Sequence, residues 1–142
     1  MNDYRKASHS VFSLHPHLVW ITKYRKKILS GDIAQRARAL IRGIREKHQV
    51  EILKGHMAPD HIHLFVSIPP NLAVSKLMQQ LKGGTSHAML NEFHLLRRQY
   101  WGRHMWARGY FCCGSGNVTD EVIKQYIAQR EDADEIFRIA GE

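Results

Sequence analysis

The stretch Pro59-Asp60-His61-Ile62-His63-Leu64-Phe65-Val66-Ser67-Ile68 constrains the chain more than any other. Pro59 and Asp60 are turn formers. The run behind them is rich in β-branched and aromatic residues, which favour a strand. Successive side chains of a strand face opposite ways. His61 and His63 therefore share one face, and Ile62 and Leu64 the other. Two imidazoles presented together form half of a metal site. The same pattern also describes two ordinary half-exposed strand histidines, so a chemical role needs a second element elsewhere.

Around this strand the chain reads as one domain. Residues 1–9 are polar and read as a flexible arm ahead of a core over 10–116. Ser10 to Thr22 reads as a first strand, broken or bulged at Pro16. Lys23-Tyr24-Arg25-Lys26-Lys27 follows, with cations for phosphates and a ring for base stacking, or simply a solvated strand end. Asp32 to His48 is an amphipathic helix with Ile33, Ala37, Leu40, Ile41 and Ile44 on one stripe and arginines on the rest. Gln49 to Met57 is a strand, expected to form a hairpin with the histidine strand and to bring His56 towards His61. Leu72 to Phe93 is helical, interrupted at Gly83-Gly84, with Thr85 or Ser86 able to cap the second part. His94 to His104 is basic and irregular. Met105 to Cys113 reads as a further strand and Gly114-Ser115-Gly116-Asn117 as a hinge. A last helix starts near Thr119, within a C-terminal segment 117–142, with Val122, Ile123, Tyr126 and Ile127 on one stripe. The order β-α-β-β-α-β plus a C-terminal helix predicts an α+β fold. Its helices lie against one face of a mainly antiparallel, ferredoxin-like sheet.

The chain has 142 residues, a formal net charge of +8 and a pI near 9.8. Such a basic domain suits a polyanionic partner. No apolar run approaches the ~20 residues that cross a bilayer, and the N-terminus has no apolar signal core. A cytoplasmic protein without a membrane partner is expected. Cys112 and Cys113 are adjacent, unsuited to a mutual disulfide or a CxxC site, and read as small packing residues.

Tyr126 is the second element. Alone it continues an apolar stripe. It also sits mid-helix behind a glycine hinge, in a basic chain with His-hydrophobic-His on a strand. His17-Leu18-Val19-Trp20, Thr22-Lys23-Tyr24-Arg25, Pro59-Asp60-His61-Ile62-His63-Leu64, Leu81-Lys82-Gly83, Trp106-Ala107-Arg108-Gly109-Tyr110-Phe111 and Ile123-Lys124-Gln125-Tyr126-Ile127 occur in that order over about residues 10 to 131. Together they resemble the HUH-type single-tyrosine transposases of the insertion-sequence-200 family. That resemblance implies a ferredoxin-like core and a homodimer that cuts and rejoins single-stranded DNA at hairpin ends. It implies Tyr126 as the nucleophile, forming a 5′-phosphotyrosine. His61, His63 and a polar residue of the tyrosine helix would hold Mg²⁺ or Mn²⁺. Lys23, Tyr24, Arg25, Lys82, Arg108 and Arg130 are assigned to the DNA.

The family commonly carries a glutamine four residues after the tyrosine. Here that position is Arg130, and Gln129 precedes it. Both lie near the tyrosine's face of a helix. An amide oxygen is a hard ligand and a guanidinium is none, so Gln129 takes the metal role and Arg130 the DNA role. The resemblance further implies active sites shared in trans, His61 and His63 of one chain with Tyr126 of the other. The Met105–Cys113 strand is a candidate for joining the two sheets. A domesticated relative or a replication-type nickase would share the chemistry. A non-catalytic RNA- or DNA-binding module on the same fold is the alternative from another class, and Arg108-Gly109-Tyr110-Phe111 only begins like an RNA-binding strand. A structural zinc protein is disfavoured for lack of cysteine pairs at ligand spacing.

Overall fold

The computed structural model describes residues 5–7, 10–12, 15–114 and 121–129. Six strands run as β1 (Arg5–Ala7), β2 (Ser10–Phe12), β3 (His17–Ile21), β4 (Glu51–Ala58), β5 (His61–Ser67) and β6 (Phe111–Cys113). The helices are α1 (Gly31–Lys47), α2 (Val74–Gln79), α3 (Thr85–Glu92) and α4 (His94–Gln99), with α5 over residues 121–129. The main sheet is antiparallel in the order β4-β5-β3-β6. With β3, α1, β4, β5, α2–α3 and β6 taken in chain order, this is the expected ferredoxin-like βαββαβ arrangement, α5 being the addition.

One face of the sheet carries the core. Leu18 and Trp20 of β3 and Ile62, Leu64 and Val66 of β5 pack against Ala37 and Ile41 of α1, Leu77 and Met78 of α2, and Met89 and Leu90 of α3. Trp20 is fully buried and meets Trp106 edge to face, ring centroids 5.9 Å apart. The opposite face holds a smaller cluster, in which Ile123 and Ile127 of α5 cover Val19, Ile21 and Ala107. The alternation of apolar residues along β3 and β5 therefore serves two layers, a large one under the helices and a small one under α5.

Several boundaries differ from the sequence reading. The first strand is divided. Ser10–Phe12 pairs with Arg5–Ala7 in a separate hairpin, partly within the stretch read as an arm, and the main strand begins only after Pro16. Proline supplies no backbone N–H, and its carbonyl instead accepts from Val66 N at 3.1 Å. The strand expected over Met105–Cys113 shrinks to Phe111–Cys113. Ahead of it lie an isolated bridge from Thr22 to Trp106 and a left-handed Gly109 (φ +75°). His94–Gln99 is a helix, not an irregular stretch. Val122 sits at the edge of the α5 stripe and is exposed.

Gly83-Gly84 interrupts the second helix without ending it. Gln80–Gly84 forms a π-helical turn that joins α2 to α3, a widening common at functional sites. Here it frees Lys82 and Thr85 for long-range bonds. Lys82 Nζ donates to the carbonyls of Ala107 (2.9 Å) and Gly109 (2.6 Å). Thr85 Oγ1 accepts from the buried Trp106 Nε1 at 2.9 Å and donates to Leu81 O at 2.5 Å. Thr85→Val keeps the shape and strands the indole N–H. It is expected to destabilise the fold by about 1–3 kcal/mol, read as a lower urea midpoint at unchanged slope.

Candidate active site

The strand register assembles the site. His63 is paired with Val19 on one side and His56 on the other; His61 faces Ile21 and Ala58; His17 faces Phe65. Cross-strand partners share a face, so His17, His56, His61 and His63 all project from the side opposite the main core. They line a cavity of about 580 Å³ together with Lys54, Phe65 and, from α5, Ile123, Lys124 and Ile127. His17 stacks on Phe65 with ring centroids 4.4 Å apart, and its Nδ1 lies 3.0 Å from His63 Nε2. Burial holds the His17 pKa below the usual imidazole value. The His56 and His61 rings are 6.0 Å apart, the approach expected across the turn.

Asp60 orients His61. Its Oδ1 lies 2.8 Å from His61 Nδ1, and its Oδ2 accepts from Arg25 Nε at 2.9 Å. Burial raises the Asp60 pKa, but the hydrogen bonds and charges of His61 and Arg25 outweigh it and hold the carboxyl below its ordinary value. An anionic acceptor on Nδ1 leaves the His61 lone pair on Nε2, as in the carboxylate–histidine–metal arrangement. Arg25 reaches Asp60 from a strained turn, in which Tyr24 (φ 60°) and Arg25 (φ 50°) are both left-handed. Such residues cost roughly 1–2 kcal/mol each. The ion pair with Asp60 and the Thr22 Oγ1 bond to Lys26 O at 2.7 Å help to hold them.

His61 and His63 would give two nitrogens to a divalent cation's shell, and for Nε2 ligation His63 would have to exchange its 3.0 Å contact with His17 Nδ1 for the metal. They supply only part of that shell. Among the described residues no group of three or more His, Cys, Asp or Glu side chains is placed to hold a metal, and oxygen atoms from outside such a cluster would have to complete it.

Tyr126 is half-buried on α5, its ring 5.5 Å from that of Phe111 on β6. Side chains advance ~100° per residue around a helix. Ile123, Lys124 and Ile127 face the histidine cavity, so Tyr126 looks out to one side of it and Gln129, which is exposed, looks nearly the opposite way. The structure therefore brings Tyr126 beside the histidine face without pointing it in, and it does not bring Gln129 to the histidines of the same chain.

The residues assigned to DNA have mixed surroundings. Lys23 Nζ sits 5.4 Å from the centre of the Tyr24 ring. Arg25 is engaged by Asp60, and Lys82 by two carbonyls. Arg108 is exposed. Arg130 lies outside the described residues. Sequence reasoning missed roles for His17 and Asp60. His17 became legible only through its pairing opposite Phe65. The Pro-Asp turn hid Asp60, whose local signal was its adjacency to His61.

The chain matches the family model described as "Transposase IS200 like" over residues 10–130. It is 28% identical to the ISDra2 transposase TnpA of Deinococcus radiodurans, covering 92% of this chain and 93% of that one. It is 31% identical to the transposase for insertion sequence element IS200 of Salmonella typhimurium, covering 96% and 89%. Its fold superposes with a TM-score of 0.81 on the crystal structure of a Deinococcus radiodurans protein described as a transposase, at 28% identity, over 89% of this chain and 97% of that one. A REP-associated tyrosine transposase bound to a REP hairpin shares the fold at a TM-score of 0.58 and 17% identity, over 87% and 68%. Sequence and fold are thus shared over nearly the whole length, and the chain belongs to the IS200-like transposase family.

Proposed function

We propose that this transposase cuts and rejoins single-stranded DNA at hairpin ends through a covalent link to Tyr126. The observation that carries the reading is the joint placement of His61 and His63 in one cavity, with the Tyr126 helix packed along its rim. The basic composition and the hairpin held by a neighbour of the same fold support a DNA partner.

A tyrosine hydroxyl, with an unperturbed pKa near 10, is a poor nucleophile at neutral pH. Mg²⁺ or Mn²⁺ held by His61 and His63, when bound, would neutralise charge on the scissile phosphate. The chain supplies the rest. Asp60 fixes His61 with its Nε2 towards the cavity. His17 braces His63. Tyr126 gives up its proton as its oxygen forms the bond to phosphorus, and the 3′ oxygen of the neighbouring nucleotide leaves. The product is a 5′-phosphotyrosine and a free 3′-hydroxyl, and the reverse attack rejoins the strand without ATP. Lys124, at the cavity edge, is placed to offset phosphate charge.

The reading includes a homodimer with sites shared in trans. Two features support it. In its own chain Tyr126 looks aside from the histidines. And β6, three residues long, is an edge strand of the main sheet and can accept a second copy. The hinge expected at 114–117 falls largely outside the described residues.

Tyr126→Phe deletes only a hydroxyl and is expected to abolish the covalent adduct while hairpin binding persists, as read by denaturing gels beside a mobility shift. An adduct on the Phe chain would assign the nucleophile elsewhere. Asp60→Ala releases His61, and its apparent affinity for Mn²⁺ should fall roughly 10–100-fold, measured by direct titration of the metal. An unchanged affinity would remove Asp60 from the site. Mixing a His61→Ala/His63→Ala chain with a Tyr126→Phe chain should restore cleavage, with the adduct on the histidine-deficient chain. Subunit exchange without recovery would place all three residues in one subunit.

A further inference from the structure

Trp101 is 88% exposed, the most exposed large apolar side chain among the described residues. Its backbone is left-handed, φ 56°, which a bulky residue rarely adopts. The chain holds it there deliberately tightly. Gly102 (φ 69°) donates to Arg97 O at 2.8 Å and Arg103 N to Tyr100 O at 3.1 Å, so the end of α4 is closed off and the indole is turned outward. A strained turn that displays an indole to water costs stability twice, once in backbone and once in apolar exposure.

Its surroundings name the partner. From Phe93 to Thr119 the chain has no Asp or Glu, while Arg97, Arg98, Arg103 and Arg108 fall within the stretch. Arg98 and Arg103 make no ion pair among the described residues. Tyr100, directly before the indole, ties the turn to the Lys23–Lys27 segment. Its hydroxyl donates to Lys23 O at 3.3 Å, Lys26 Nζ lies 5.2 Å from its ring centre, and Lys26 Nζ donates to Gln99 O. That segment in turn reaches Asp60 and His61 through Arg25. A flat exposed ring, flanked by cations and continuous with the path to the histidines, fits a nucleic-acid strand, the base on the indole and the phosphates on the arginines. An acidic protein surface would use the arginines and leave the ring idle.

We infer that Trp101 is a stacking platform for an unpaired base of single-stranded DNA, with Arg97, Arg98 and Arg103 holding the flanking phosphates. The inference deepens the proposed function by adding a base-binding position outside the histidine cavity, and it rests on that reading only for the nature of the strand.

The chain has three tryptophans, and Trp20 and Trp106 are buried. Fluorescence quenching in the full-length protein therefore reports on Trp101. Oligothymidylate should quench the emission, whereas an abasic strand of equal length should bind without quenching. Trp101→Ala should weaken oligothymidylate binding roughly 5–100-fold, and Trp101→Phe should retain most of it. The Tyr126→Phe chain should be quenched like the wild type, so a failure of the cleavage chemistry is separable from a failure of this site. Absence of quenching at saturating oligothymidylate, or equal affinity of Trp101→Ala, overturns the proposal. So does a loss of oligomeric mass in Trp101→Ala with DNA affinity unchanged, which would assign the indole, with exposed Leu95, to a protein contact.

Discussion

The pairing register between β3 and β5 is the constraint on which the site depends. In it Trp20 faces Ile62, Leu18 faces Leu64, and Val19 faces His63. A slip of one residue would turn every side chain of β5 over. The imidazoles would enter the core beside Met89 and Leu77, and Ile62, Leu64 and Val66 would face water. The burial of those three residues, each contributing on the order of 1.5–3 kcal/mol, holds the register. The hydrophobic core thereby positions the histidines without touching them. The Pro59-Asp60 turn pins the same register from one end, since Thr22 N donates to Asp60 O and Leu29 N to Pro59 O, both at 2.9 Å.

That arrangement links the polar network to the core. Asp60 closes the β4–β5 hairpin through its backbone and orients His61 through its side chain. Arg25 satisfies the remaining carboxylate oxygen and is itself held in a left-handed turn. A buried carboxylate bonded on both oxygens sets one orientation, whereas a half-satisfied one would leave the ring free to rotate. On the other side Lys82, in the π-helical turn, donates to two carbonyls of the loop ahead of β6, those of Ala107 and Gly109. Arg25 and Lys82, two residues expected on the DNA, thus act first on the protein.

Much of this was legible in sequence because the signals were local. The parity of His61 and His63, the apolar stripe of α1, the hairpin at Pro59-Asp60 and the order of elements all follow from periodicity and turn chemistry. The strand expected from Met105 is cut in two: Met105 O and Ala107 N bond to Lys23 and Ile21 in an isolated bridge at Thr22 and Trp106, and left-handed Gly109 lies between that bridge and the Phe111–Cys113 strand. The helical run from His94 was obscured by its charge. His17 and Asp60 depended on partners 46 and 35 residues away, His63 and Arg25, and no local pattern announces such contacts. Gln129 against Arg130 is a question of helix phase and chain partner that spacing leaves open.

The proposed mechanism joins the Tyr126 oxygen to the 5′ side of a cut DNA strand. Mass spectrometry of a tryptic digest, after incubation with single-stranded element ends and Mg²⁺ or Mn²⁺ followed by nuclease trimming, tests it directly. The peptide from Gln125 to Arg130 contains a single tyrosine and no other phenol. This peptide is expected to carry the added nucleotide, with fragmentation placing the mass on Tyr126. Recovery of the nucleotide on any other peptide, or cleaved DNA with the Gln125–Arg130 peptide unmodified throughout, would contradict it.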